Sequence, residues 1–565
     1  MRISNYFLGA LAALTFASCH KQEMATPTSQ RTVGKTGKTL SITSYPSYNT
    51  SPLPPDQTGV TSTATQLAAK FQIGWNIGNT LEASGGETNW GNPMVTQALI
   101  DEVKNAGFTA VRIPCDWDQY ADQNTAQIQQ SWLNRVQQVV QYCVNDGLYV
   151  VLNIHWDDGW LTHNCTTAAQ ASVNAKQKAF WEQIATQMRG FDEHVIFAST
   201  NEPEVTDATG MSVLLSYHQT FVNAVRSTGG HNSYRVLLVQ GPGGADISTT
   251  NNLMNTLPTD QVANKLMVEV HYYNPSQYTL LTSDASWGNM FYYWGSGYHS
   301  TTDPSRNPTW GEESDAPSEF SLMKSKFIDK GIPVILGEYG AIRRLQTLSG
   351  DALTLHLAGR AYYLNYVTHQ ALQYGLHPFY FDDGSTANNA FRIINRQTNG
   401  VADQQGLAAV MQGGQNGTSS TIQVGQVYQI FNRNSFKALE FAGWGTTNQT
   451  PADQWDYLAG ANQQFMVQDA GGGNYRLTPM HATTKCLEVY GWSGSNGAQV
   501  DLWDYNGGNN QKWMIQPTDN GYYKIINVNS GKALDLYQLS LNNGGVVDQW
   551  DYAGNRNQQW GFVKR

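Results

Sequence analysis

Charge is what this chain has least of. Asp, Glu, Lys and Arg together make up 14% of 565 residues, the net charge is -10, and no cluster of Lys or Arg occurs. A surface of that kind cannot displace the counterions of a phosphate backbone, so nucleic acid is excluded as a partner. No glycine loop of the kind that cradles phosphates is present, and the 5 cysteines show neither a CxxC nor a metal-like spacing. No metal, no organic cofactor and no disulfide framework is therefore expected. Long hydrophobic runs are missing too: the longest, from about Tyr6 to Phe16, is too short to span a bilayer. What the chain does have is aromatic residues, with 17 Trp and 29 Tyr, on a background whose polarity comes from Asn, Gln, Ser and Thr. That combination suits neutral, hydroxyl-rich ligands.

Residues 1–19 read as an export signal, with Arg2 ahead of the apolar segment and small residues before Cys19. Phe16-Ala17-Ser18-Cys19 resembles the lipobox of bacterial lipoproteins, with Phe16 where leucine is usual. The resemblance implies lipidation of Cys19 and a cell-surface or outer-membrane location; an ordinary cleaved signal would instead leave the protein secreted. Such a lipid is the only membrane contact expected. Of Cys115, Cys143, Cys165 and Cys486, one pair could oxidise after export, and the spacing does not say which.

Residues 20–62, rich in Thr, Ser, Pro and Gly, have no hydrophobic period and read as a flexible linker. Between 63 and 411, apolar strand-like runs alternate with amphipathic helical stretches. The strand candidates are Ile73–Ile77, Ala110–Pro114, Tyr149–His155, Val195–Asn201, Arg235–Gln240, Leu266–Tyr273, Pro333–Glu338 and Pro378–Asp382. Helices are expected from Pro93 to Gly107 and from a Ser131 cap to Asp146, and near 172–189, 211–227, 317–330 and 351–374. Eight such units predict an α/β fold, a (β/α)8 TIM barrel, in preference to a doubly wound sheet.

A second linker, 412–422, precedes a change of pattern. In 423–565, KALEF (437), KCLEV (485) and KALDL (532) recur, as do QWDY (454), LWDY (502) and QWDY (549), and NQQF (462), NQKW (510) and NQQW (557). Three repeats of about 47 residues, rich in turn residues, predict an all-β domain with internal threefold symmetry.

In the barrel region, polar residues end the apolar runs. HVIFASTNEP places Asn201 and Glu202 after one strand, and PVILGEYG places Glu338 at the end of another. Arg112, His155, His271 and Tyr273 close three more. A barrel collects such residues on one face. Two carboxyls in a polar, aromatic cleft are the parts glycoside hydrolysis needs, one protonated to donate to the leaving oxygen and one ionised.

GWNIGNTLEA (74–83), ETNWGNP (87–93), VRIP (111–114), LNIH (152–155), TNEP (200–203), VHYY (270–273) and GEYG (337–340) resemble glycoside hydrolase family 5, in particular its endo-β-1,4-glucanases. The resemblance implies a retaining double displacement on β-glucan, with Glu202 as acid/base and Glu338 as nucleophile. It further implies Asn201 on the substrate 2-OH, Tyr273 orienting Glu338, Arg112 as the positive charge beside it, and His155 and His271 in support. Phe381 of FYFDDG stands where the family usually has a Trp sugar platform. Trp90, Trp117, Trp156, Trp160, Trp287 and Trp294 are candidate platforms, about half of them expected to face sugar, with Trp90 and Trp156 foremost. An endo-β-mannanase or xyloglucanase on the same machinery, or a catalytically silent polysaccharide-binding surface protein, remain alternatives. A monomer is expected.

The repeats resemble the ricin-B-type β-trefoil, which also occurs as a carbohydrate-binding module. That resemblance implies up to three sugar sites: Glu440, Trp455 and Asn462; Glu488, Trp503 and Asn510; Asp535, Trp550 and Asn557. Only the third has the usual Asp as its first acid. Phe465, Trp513 and Trp560 are expected in the core.

Overall fold

The computed structural model describes residues 42–387, 389–414 and 422–565. Cys19 and the export segment, and residues 415–421 of the expected second linker, lie outside the described residues. Eight strands, β1 (Gly74–Ile77), β2 (Ala110–Ile113), β3 (Tyr149–Asn153), β4 (Val195–Ala198), β5 (Leu237–Gln240), β6 (Leu266–Tyr272), β7 (Val334–Tyr339) and β8 (Leu376–Asp382), close into a barrel in chain order. Every pairing is parallel.

Strand residues alternate between two cores, which is why each strand reads as a continuous apolar run. Ala110, Val151, Ile196, Leu238, Met267, Ile335 and Phe379 pack inside, where the short helix Ala64–Ala68 and Phe71 plug the end opposite the site. Val111, Val150, Val195, Leu237, Val268 and Val334 face the surrounding helices. The alternation fails once, on β7. Val270 pairs with Leu336 but His271 pairs with Glu338, so Gly337 is an extra residue. This bulge turns Glu338, which alternation would aim at the helices, into the barrel beside His271.

Two helix starts differ from expectation. The first helix begins at Gln97 behind a Thr96 cap whose hydroxyl accepts from Leu99 N–H, and the second begins at Gln130 without Ser131 as its cap.

From residue 42 to 62 the expected linker is docked, not free. Ser47 Oγ and Tyr48 N–H donate to Glu182 Oε2 at 3.2 and 2.7 Å, Tyr48 OH donates to Thr125 O at 2.6 Å, and Leu53–Pro55 pairs with Gly229–Gly230. Polar side chains hold this strap, so no hydrophobic period announces it.

The C-terminal repeats form a 12-stranded antiparallel domain around Phe465, Trp513 and Trp560, all fully buried as expected. Trp513 and Trp560 donate their indole N–H to Leu487 O and Leu534 O, each at 3.0 Å, a repeat of one contact in two units. The two domains are packed together. The helix Gln404–Gly413 takes up the start of the expected 412–422 linker, and Phe431, Phe436 and Tyr522 of the trefoil belong to the barrel's outer apolar core. Arg556 lies 4.1 Å from the Tyr362 ring centre and 5.4 Å from that of Tyr298, whose hydroxyl donates to Asn434 O at 3.0 Å.

Candidate active site

Arg112, fully buried on β2, is the hub. Its NH1 donates to Glu338 Oε1 at 2.8 Å and to Asn76 Oδ1 at 3.0 Å, and its NH2 donates to Asn201 Oδ1 at 2.6 Å. The third edge, Nε, is 2.9 Å from Glu269 Oε1. Tyr273 OH donates to the other Glu338 oxygen at 3.0 Å. Burial, with Glu338 and Glu202 nearby, raises the Tyr273 pKa far above its ordinary value, so the phenol stays a donor.

Glu202 follows β4 with φ +45°, a backbone region a non-glycine residue seldom occupies. Its N–H is held by the Gln240 amide oxygen. Glu202 Oε1 lies 2.8 Å from His271 Nδ1, and His271 Nε2 lies 3.1 Å from Glu269 Oε1. Each ring nitrogen thus faces a carboxylate, and Gln240 Nε2 lies 3.2 Å from His271 Nε2 as well. Burial opposes a charged imidazole, but Glu338, Glu202 and Glu269 outweigh it and hold the His271 pKa above the usual value. Burial likewise opposes ionisation of Glu269, and Arg112 and His271 reverse this, holding its pKa below the usual carboxylate range.

One ligand atom each from Glu202, His271 and Glu338 lie within 4.8 Å of one another, the one such cluster among the described residues. Both His271 nitrogens are already engaged within the protein, Nδ1 by Glu202 and Nε2 by Glu269 and the Gln240 amide.

All the barrel residues expected at the site converge except at its rim. His155, half-buried, has Nδ1 3.2 Å from Asn153 Nδ2. Phe381 is 4% exposed, edge-on to Phe391 and pressed on Gly78, so it offers little face to a ligand. Of the candidate tryptophans, Trp90, Trp156 and Trp287 reach the surface, while Trp117, Trp160 and Trp294 are fully buried. The buried three donate their N–H groups inward, to Asn153 O, Asp157 Oδ2 and Gly311 O. Trp310, exposed and held by Gln277 Oε1 at 2.6 Å, was not among the candidates.

Asn76, Gln240 and Glu269 are the functional residues sequence reasoning missed. Glu269 sits within the apolar run LMVEVHYY, two residues before His271 and therefore on the same face, which was the available signal. Gly337 is the glycine of GEYG for the same reason: a Cβ there would come 2.2 Å from Glu269 Oε1.

In the trefoil, each first acid faces a second across the strand pair: Glu440 and Asp453, Glu488 and Asp501, Asp535 and Asp548. Asn462 and Gln463 donate to Glu440 Oε2 at 3.1 and 2.7 Å, and Asn510 and Gln511 to Glu488 Oε2 at 3.1 and 2.8 Å, so the longer Glu reaches both amides. Asn557 donates to Asp535 Oδ2 at 2.7 Å. Burial first, and then the facing acid, raises Asp453, Asp501 and Asp548 to about 7.

Comparison with known proteins agrees with both halves. The profile described as "Cellulase (glycosyl hydrolase family 5)" matches residues 76–382, and "Ricin-type beta-trefoil lectin domain-like" matches 419–503 and 509–565. The chain is 36% identical over 391 residues to a xyloglucan-specific endo-beta-1,4-glucanase of Bacteroides ovatus, covering 66% of this chain and 74% of that one. It is 36% identical over 375 residues to endoglucanase A of Paenibacillus barcinonensis, covering 62% and 90%. A solved xyloglucan-specific beta-1,4-glucanase from a ruminal metagenomic library, in complex with XXLG, superposes with a TM-score of 0.59 at 40% identity, over 64% of this chain and 98% of that one. With a closed parallel barrel, two strand-end glutamates joined through Arg112 and His271, and a profile match over more than half its length, the chain belongs to glycoside hydrolase family 5.

Proposed function

We propose that the protein is a retaining, endo-acting β-1,4-glucanase in which Glu338 is the nucleophile and Glu202 the acid/base. The observation that carries this reading is the spacing: oxygens of Glu202 and Glu338 lie within 4.8 Å of each other. Retaining enzymes need their carboxyls about 5–5.5 Å apart and inverting ones about 6.5–9.5 Å. Glu202 protonates the leaving oxygen while Glu338, aimed by Arg112 and Tyr273, attacks the anomeric carbon. Glu202 then takes a proton from the water that releases the sugar. Asn201 has its Oδ1 engaged by Arg112, which leaves its Nδ2 to donate to a 2-OH.

A branched xyloglucan is the second reading, favoured by relatives whose names specify it. His155, Trp90 and Trp156 are the rim residues assigned to sugar, and the trefoil is the carbohydrate-binding part. Export and lipidation at Cys19 are proposed from the N-terminal sequence alone, and mass analysis of the mature N-terminus tests them.

The experiment is Glu338→Gln, assayed on cellulose, mixed-linkage glucan, xyloglucan and mannan, with the product anomer followed by proton NMR. Loss of several orders of magnitude in turnover with unchanged folding, and a β-anomer from the parent enzyme, are expected. Wild-type-like turnover in the variant, or an α-anomer from the parent, would sink the assignment. Cleavage confined to mannan would replace the glucanase reading.

A further inference from the structure

Each trefoil repeat has a single-turn segment just after its first acid: Ala442–Trp444, Tyr490–Trp492 and Tyr537–Leu539. Their last residues all occupy the left-handed region, Trp444 at φ +60°, Trp492 at +59° and Leu539 at +52°. Bulky residues seldom adopt that conformation, which costs on the order of 1–3 kcal/mol. Here it is used to hold large apolar side chains in solvent, since Trp444 is 55% and Trp492 53% exposed. Two tryptophans kept strained and exposed at equivalent positions are poor core and poor surface, which points to a ligand.

What lies beside them identifies the ligand's chemistry. A Cβ built on Gly460 would lie 2.5 Å from Asn462 Oδ1 and 2.6 Å from the Trp444 ring, and one on Gly508 would lie 2.6 Å from both Asn510 Oδ1 and the Trp492 ring. In both repeats, then, the indole edge and the amide oxygen of the acid–asparagine set converge on one glycine, packed too closely against it for any larger residue to stand there. Some acceptors of these polar sets lack a donor. Asn510 Oδ1 and Asp501 Oδ1 are buried with no partner, as is Asp453 Oδ1. A buried acceptor left unpaired costs stability that a hydroxyl donor would restore. The matching ligand has vicinal hydroxyls on one edge and a flat apolar face, which describes a neutral pyranose such as a β-linked glucosyl unit.

The third repeat keeps the polar set, with Asn557 Oδ1 and Asp548 Oδ1 also unpartnered, but it lacks the wall. Leu539 stands in for the tryptophan and Asn555 for the glycine. The tryptophans that recur in all three repeats are placed differently: Trp455 lies over the Gly544 turn of the third repeat and Trp550 over the Gly497 turn of the second.

We propose that the sugar sites of the trefoil are those of the first two repeats, walled by Trp444 and Trp492, and that the third repeat, despite its orthodox Asp535, is the weakest of the three. This rests on reading the trefoil as sugar-binding. The test uses the full chain carrying Glu338→Gln, labelled with 5-fluorotryptophan, with signals assigned by W444F, W492F, W455F, W503F and W550F. Titration with cellohexaose and a xyloglucan heptasaccharide should move the Trp444 and Trp492 fluorine signals, and W444A with W492A should weaken retention on insoluble glucan by about tenfold, as loss of a stacking face would. Movement of Trp455, Trp503 or Trp550 with Trp444 and Trp492 unmoved leaves the trefoil a sugar binder and overturns this assignment. No movement of any trefoil signal overturns the sugar-binding reading and the proposal together.

Discussion

Both halves of this molecule set carboxyl groups against one another on neighbouring strands, and they treat the repulsion in opposite ways. In the barrel, Glu202, Glu269 and Glu338 are separated by Arg112 and His271, so that each carboxyl has a guanidinium or imidazole nitrogen within 3.1 Å. In the trefoil, the facing acids of each repeat have amides, not cations, on their inner side, and Asp453, Asp501 and Asp548 rise to about 7. Interposed Arg112 and His271 let a nucleophile and an acid/base stand close together, as covalent catalysis requires. Amides leave a site that takes up protons near neutrality, which a binding surface for uncharged sugars can tolerate.

The sharpest way to break the barrel's half of the contrast is to remove its hidden partner. In Glu269→Gln the ion pairs to Arg112 Nε and His271 Nε2 lose their charge, while Arg112 keeps Glu338, Asn76 and Asn201. The loss should therefore pass mainly through His271 to Glu202. We expect kcat/KM on glucan to fall about tenfold, a fraction of what a general acid contributes, with much less loss on a dinitrophenyl cellobioside, whose leaving group needs no proton. Equal losses on both would show that Glu269 acts on the nucleophile or the fold instead.

A smaller effect separates the trefoil. Its second acids have folded pKa values raised above the ordinary carboxylate value of about 4. Between about 4 and 7 the folded state then holds more protons than the unfolded one, so stability falls as pH rises through that window and the full cost is present above 7. Replacing Asp453, Asp501 and Asp548 together by Asn should stabilise the protein at pH 8 by about 1 kcal/mol per repeat and leave it unchanged at pH 4. Thermal melts at the two pH values decide this, and an identical shift at both would remove the electrostatic explanation.

Least of all should come from Arg556, which lies between Tyr298 and Tyr362 and touches neither set of acids. Arg556→Ala should cost about 0.5–1 kcal/mol in urea unfolding, with the two electrostatic signatures unchanged. A shift in the pH dependence of either half would mean that the domains are electrically coupled after all.

The barrel was legible because strands buried on both faces are short apolar runs, and because the residues that close those runs are the ones chemistry uses. Glu202, Glu338, Arg112, His271 and Tyr273 came from that rule. Glu269 escaped it, being inside a run and not at its end, where only the parity it shares with His271 gives it away. The strap at 42–62 escaped because hydrogen bonds to Glu182 and Thr125, not apolar spacing, hold it. In the trefoil, counting repeats favoured the tryptophans present three times. The pair at 444 and 492 recurs only twice, and what marks it is backbone conformation, which composition does not display.

The aromatic side chains of Phe431, Phe436 and Tyr522 lie in the apolar layer that wraps the barrel. A lectin hung on a flexible spacer works as a leash, raising the local concentration of whatever it catches over a range set by its length. One seated in its enzyme's own core works as a gauge. The span from trefoil to barrel cleft is then set by side-chain packing and not by the length of a spacer.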